Sequence, residues 1–258
     1  MSIKLGSTDI SKIYLGSSEI QKVYQGSNLV YSSVFNPLSL SPLLWLDGND
    51  ESTIIHSSNI VSEWRDKSGN GNNLTQNNTS FKPIYNVNKI RFDNYQRLYT
   101  SGSFDVKNVF IVASIDNVTH STNRWIYNLY NDGVNRQGIY IPINNDGIGT
   151  WVSDGAPSIP GSSSLLPYPQ TTSIYEHQII NTYDKIKNSL SESTRYFNIT
   201  IPLYSNLSIG WWMEPPLYTG TVDFSPKASI SEILFFDKIL TDTERTNINN
   251  YLTNKWNL

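Results

Sequence analysis

The first thirty residues of the chain repeat one pattern three times. Ile3-Lys4-Leu5-Gly6-Ser7, Ile13-Tyr14-Leu15-Gly16-Ser17 and Val23-Tyr24-Gln25-Gly26-Ser27 recur every ten residues; the first two lead through Thr8-Asp9 and Ser18-Glu19 to Ile10 and Ile20, and the third through Asn28-Leu29 to Val30. The alternation has the period of a strand, and Gly-Ser supplies turn chemistry. Read as one strand and one turn per decamer, the segment is a three-stranded meander too small to stand alone. Its open edges need covering. Residues 1–33 are therefore expected to anchor or assemble the molecule, as a homo-oligomer and most simply a trimer. Pairing with the rest of the same chain is the alternative.

The segment 34–42, with Pro37 and Pro42, reads as a linker. From 43 to 258, short alternating runs are separated by clusters of Gly, Asn, Asp, Ser and Pro, at 43–47, 60–65, 89–93, 108–115, 124–130, 137–143, 174–183, 195–201, 205–212 and 229–237. That spacing predicts an all-β antiparallel sandwich or jelly roll in one large domain. One helix is expected, after Thr241, where Thr241 and Glu244 form a capping-box pattern and Ile248, Tyr251 and Leu252 share a face.

A formal net charge of −3, with the 19 Lys and Arg scattered, leaves no basic stripe to neutralise phosphates, so nucleic acid is not an expected partner. Nowhere does an apolar run approach the length needed to insert into a membrane. The start Met1-Ser2-Ile3-Lys4 lacks a charged-then-apolar leader, which predicts synthesis in a cytoplasm without a signal peptide.

Four segments together resemble the LamG-like jelly-roll modules of the concanavalin A-like lectin/glucanase superfamily. They are Leu44-Trp45-Leu46-Asp47 with Asp50; Val61-Ser62-Glu63-Trp64-Arg65-Asp66-Lys67-Ser68-Gly69-Asn70-Gly71; Lys89-Ile90-Arg91-Phe92-Asp93; and Ile230-Ser231-Glu232-Ile233-Leu234-Phe235-Phe236-Asp237, running on to Trp256. The likeness is greatest to modules of bacteriophage virion proteins, and the ten-residue repeat is similar to repeats near the start of phage structural proteins. The resemblance implies a virion location on the particle surface, in a tail fibre, baseplate or capsid decoration. It also implies contacts with other virion proteins through residues 1–33 and receptor binding to a host cell-surface glycan. A cement or fibre subunit that touches only virion proteins is the alternative.

Asp66-Lys67-Ser68-Gly69-Asn70-Gly71 begins as a calcium loop does, but its twelfth position is Asn77 rather than a bidentate Glu. It is read as a structural turn, with calcium at Asp66 and Asn70 as the competing reading and no cofactor required. Trp211-Trp212, with Glu214 and Tyr218 after them, and Trp151 near a proline-rich stretch, offer flat aromatic faces beside hydrogen-bonding groups, which sugar rings need. Adjacent strand residues point to opposite faces, so one of the two Trp should be core. No Glu-x-Asp pair, no Gly-x-Ser-x-Gly elbow and no paired His spacing occurs, and His56, His120 and His177 read as solvated or turn residues. The sequence alone thus predicts a protein that is not an enzyme, with a polysaccharide depolymerase as the remaining catalytic reading.

Overall fold

The computed structural model describes residues 4–5, 8–9, 13–20, 22–25, 28–32, 35–116, 123–131, 136–142, 147–153, 166–167, 171–180, 183–196, 201–211, 223 and 225–258. The chain divides into two compact units, one of residues 1–40 with 241–257 and the other of residues 41–240 with 258.

In the first unit each decamer folds on itself. Lys4–Leu5 pairs with Thr8–Asp9, Tyr14–Leu15 with Ser18–Glu19, and Lys22–Gln25 with Asn28–Ser32, as three separate two-stranded antiparallel sheets. This corrects the meander reading: Leu15 pairs with Ser18, so the chain reverses at Gly16-Ser17 inside the repeat rather than between repeats. The helix Asp242–Trp256 starts at the expected capping box. The Thr241 hydroxyl accepts from the Glu244 N–H at 3.2 Å, and the Glu244 carboxylate accepts from the Thr241 N–H at 2.8 Å. Ile248 and Leu252 are buried, and Phe35 meets Tyr251 edge-on at 6.2 Å.

The second unit is an all-β sandwich made from one continuous antiparallel ladder folded over on itself. Its front sheet runs Gly149–Ser153, Arg136–Ile141, Arg124–Tyr130, Tyr204–Ile209, Leu98–Phe104. Its back sheet runs Ile90–Phe92, Ala228–Phe236, Asn108–Ile115, Ser173–Ile180, Tyr183–Lys187, Glu192–Tyr196, with Leu44–Asp47 also paired to Ala228–Phe236. Short strands Leu74–Thr75, Ile60–Trp64 and Ile84–Tyr85 carry the ladder from one layer to the other.

Alternation decides what fills the space between the layers. Leu129, Ile139, Val152, Leu207 and Ile209 from the front sheet meet Ile111, Tyr175, Ile179, Ile233 and Phe235 from the back. Tyr127 touches Phe235 across the gap, their ring centres 5.2 Å apart. Ala228–Phe236 is buried along its whole length and paired on both edges, which is why it reads as a near-continuous apolar run.

A polar cluster is sealed inside this core. The Tyr127 hydroxyl is hydrogen-bonded to His177 Nδ1 at 2.7 Å, and His177 Nε2 lies 3.6 Å from Asp184 Oδ2. Asp184 also accepts from Arg195 Nε at 3.0 Å and from the Thr150 hydroxyl, so one carboxylate ties the edge strand of the front sheet to two strands of the back. His177 is fully buried, which corrects its reading as a solvated histidine; burial holds its pKa below the ordinary value, so it is neutral near pH 7.

Candidate functional site

The outward side of the front sheet carries two aromatic clusters. Because Thr150 and Val152 point into the sandwich, Trp151 between them points out. Its ring packs 6.3 Å from both Trp125 and Tyr140, which are themselves 5.4 Å apart, and the Arg136 guanidinium sits 5.9 Å from the Trp151 ring centre. Gly138 makes this possible: a β-carbon there would fall 2.9 Å from the Trp125 ring and would strike the Tyr127 carbonyl oxygen. Trp125 and Tyr140 are buried, whereas Trp151 is half-buried. Trp151 is therefore the face this cluster presents.

The second cluster lies at one end of the sheet. Leu98 is in the core, so Arg97 before it turns outward, with its guanidinium clamped 3.8 Å from the Phe81 ring centre and 4.6 Å from that of Trp211. Tyr95 lies on Trp211 at 5.7 Å. Asn94 and Tyr95 have φ of 43° and 71°, and for a bulky Tyr this left-handed backbone is strained. The Tyr95 N–H donates to Asp223 Oδ1 at 3.0 Å and to Ser225 Oγ at 3.2 Å, while Arg124 pairs with Asp223 at 2.5 Å. Burial raises the Asp223 carboxyl, but the Ser225, Arg124 and Tyr95 contacts outweigh it and hold its pKa below the usual range. These contacts fix Tyr95 outward, 36% exposed, above a Trp211 that is only 2% exposed.

Of the residues singled out in the sequence, Trp211 is thus the support and not the contact surface; Trp212, Glu214 and Tyr218 lie outside the described residues. Tyr95, Arg97, Trp125, Arg136 and Tyr140, which the structure gathers around Trp211 and Trp151, carry no motif in the sequence. A glycine interrupting the strand pattern at 138 is the signal that could have found part of this set.

Asp66 and Asn70 form a self-satisfied turn. Asp66 Oδ1 accepts from the N–H groups of Trp45 and Ser68 at 3.0 and 2.8 Å, and Oδ2 from the Asn72 N–H and the Ser68 hydroxyl at 3.0 and 2.7 Å. The Asn70 amide donates to the carbonyls of Pro42 and Leu43, both at 3.1 Å. Lys67 Nζ reaches Asp47 at 2.9 Å and Asp50 at 2.7 Å, over the Trp45 ring, so an ammonium already neutralises the local acids. These groups do not fit a calcium ion. Asp66→Ala is expected to lower stability by about 2–3 kcal/mol by stripping the acceptor from buried and half-buried donors, and calcium or a chelator is expected to leave the wild-type melting temperature unchanged.

No family model and no curated protein matches the chain. Solved structures do. A Trypanosoma rangeli sialidase in complex with sialic acid superposes with a TM-score of 0.59 at 10% identity, over 92% of this chain and 36% of the sialidase. The binding domain of botulinum neurotoxin DC, in complex with a ligand designated SialylT, gives 0.56 at 12% identity, over 82% of this chain and 51% of the other. What is shared is the fold. This chain spans about a third of the sialidase and about half of the toxin domain's chain. The finding also corrects one sequence expectation: since enzymes stand among these neighbours, the missing Glu-x-Asp pair gives no ground for setting catalysis aside.

Proposed function

We propose that this chain binds glycans through the outward side of the front sheet, as a surface component of a phage particle. The observation that carries the reading is Trp151: a partly exposed indole backed by two buried rings supplies a stacking face for a sugar. The sialic acid and SialylT complexes of the two neighbours support a carbohydrate as the ligand class. The decamer repeat and the resemblance to virion modules support the location, with residues 1–33 holding the molecule to other virion proteins and to its own copies. Display of several copies makes weak sugar contacts useful, since later contacts become intramolecular.

A printed array of sialylated and neutral glycans, probed with the full chain, is expected to give saturable hits that fall about tenfold or more in Trp151→Ala. An array with no hits, from protein that still melts cooperatively, overturns the reading. Deleting residues 1–33 is expected to convert an oligomer into a soluble monomer, measured by light scattering. An unchanged mass contradicts the anchor assignment.

A further inference from the structure

We infer that Asn70 is a site of spontaneous modification, and that its deamidation releases the turn that guards the edge of the strand Leu44–Asp47. Asn70 is the one Asn of the chain that is followed by Gly. The inference is independent of the glycan reading.

Leu44–Asp47 is paired with Ala228–Phe236 along one edge, and the turn after Trp64 covers the other. Trp45 donates its N–H to Asp66 Oδ1 at 3.0 Å, and its carbonyl accepts from the Lys67 N–H at 2.8 Å. Just ahead of the strand, the Asn72 amide donates to the Leu43 carbonyl at 3.0 Å. Asn70 Nδ2 lies 3.1 Å from each of three acceptors, the Pro42 and Leu43 carbonyls and the Ser68 hydroxyl. Its place in the turn therefore depends on being a donor. An uncovered strand edge is a template for pairing with other chains, so the turn also protects against aggregation.

Gly71 supplies the attacking atom. With no side chain it leaves its backbone nitrogen unhindered, and a β-carbon built on it would meet nothing within 4 Å. Once that nitrogen gives its proton to solvent base, it bonds to Asn70 Cγ and closes a cyclic imide, while the Cγ–Nδ2 bond breaks and Nδ2 leaves as ammonia. Water then opens the ring to aspartate or isoaspartate. The amide must first swing off Pro42, Leu43 and Ser68, so the reaction proceeds from the fraction of molecules in which the turn is open. It also runs one way. The new carboxylate has no proton to give the two carbonyl oxygens, and it stands across the Ser68 hydroxyl from the Asp66 carboxylate, so the turn does not close again as before.

The test is peptide mapping of the full chain, incubated at mildly alkaline pH in buffer and in urea above the unfolding midpoint, with aspartate and isoaspartate read at residue 70. In urea, conversion at Asn70 is expected to lead that at every other Asn. In buffer it is expected to be slower by about tenfold or more, because opening breaks several hydrogen bonds. Ser68→Ala, which removes one acceptor, is expected to raise the rate in buffer several-fold and to leave the rate in urea unchanged. Asn70→Asp, which carries the charge of the product, is expected to lower the melting temperature by about 4–8 °C and to aggregate sooner on heating. Equal rates in buffer and urea, or no conversion at residue 70 in either, overturn the inference, as does an Asn70→Asp chain that melts like wild type.

Discussion

Asp184→Ala is expected to lower the unfolding free energy by about 3–5 kcal/mol, the range for breaking a buried ion pair from one side. The carboxylate is 1% exposed and holds together Arg195, Thr150 and, at longer range, His177. Burial alone would raise its pKa, but His177, Arg195 and Thr150 outweigh burial and keep it below the usual carboxylate value. Removing it leaves the Arg195 guanidinium without its carboxylate in the sandwich wall. Thr150→Val, which deletes one hydroxyl, is expected to cost only about 1 kcal/mol. Urea midpoints with unchanged slopes would measure both.

The same cluster gives a pH dependence of defined sign. His177 has a folded pKa below its unfolded value of about 6.5, so its contribution is complete above that pH and is lost as pH falls, by up to about 1.4 kcal/mol per unit. Asp184, also depressed, adds its own loss only below about pH 4. His177→Gln is expected to remove the first decline and keep the second. A stability that rises between pH 7 and 5 contradicts this assignment.

Gly210→Ala is the second large effect, expected at about 3 kcal/mol or more. Gly210 has φ of 81°, which alone costs an Ala about 1–2 kcal/mol. A β-carbon would also press into the fully buried Phe92 ring and lie 2.9 Å from the Gln96 carbonyl oxygen, adding overpacking of roughly 1–3 kcal/mol. The damage should reach the site. Trp211 is the next residue, and its carbonyl accepts from the Ser208 hydroxyl at 2.8 Å while its ring supports Tyr95 and Arg97. Thermal melts and glycan titration of the variant should therefore fall together; a variant that melts within about half a kcal/mol of wild type contradicts the packing described.

Much of the fold is legible in the chain because buried strands alternate cleanly or run apolar throughout, as 108–115, 124–130 and 228–236 do. Leu98–Phe104 was missed because its middle is Thr-Ser-Gly-Ser, with a register shift between Ser101 and Phe104 that breaks the period. The run 174–183 reads as one strand, yet Ser173–Ile180 ends and Tyr183–Lys187 pairs back antiparallel to it. In the decamers, a period of two fits one strand or two equally well, so only pairing could show the hairpins. The motif Trp64-Arg65-Asp66-Lys67-Ser68-Gly69 was readable as a turn because its polar groups satisfy one another locally. The aromatic platforms were not, since Trp125, Tyr140 and Trp151 meet only through strand register, and Tyr95 is presented by a strained turn that no periodicity marks.

The central claim is that a sugar stacks on the outward rings of the front sheet. Calorimetric titration of the best array hit into wild type, Trp151→Ala and Tyr95→Asn tests it most directly. The expected result is a saturable isotherm for wild type, weakened about tenfold or more by each change with melting temperatures retained. Binding that is undiminished in both variants would place the ligand elsewhere and contradict the account.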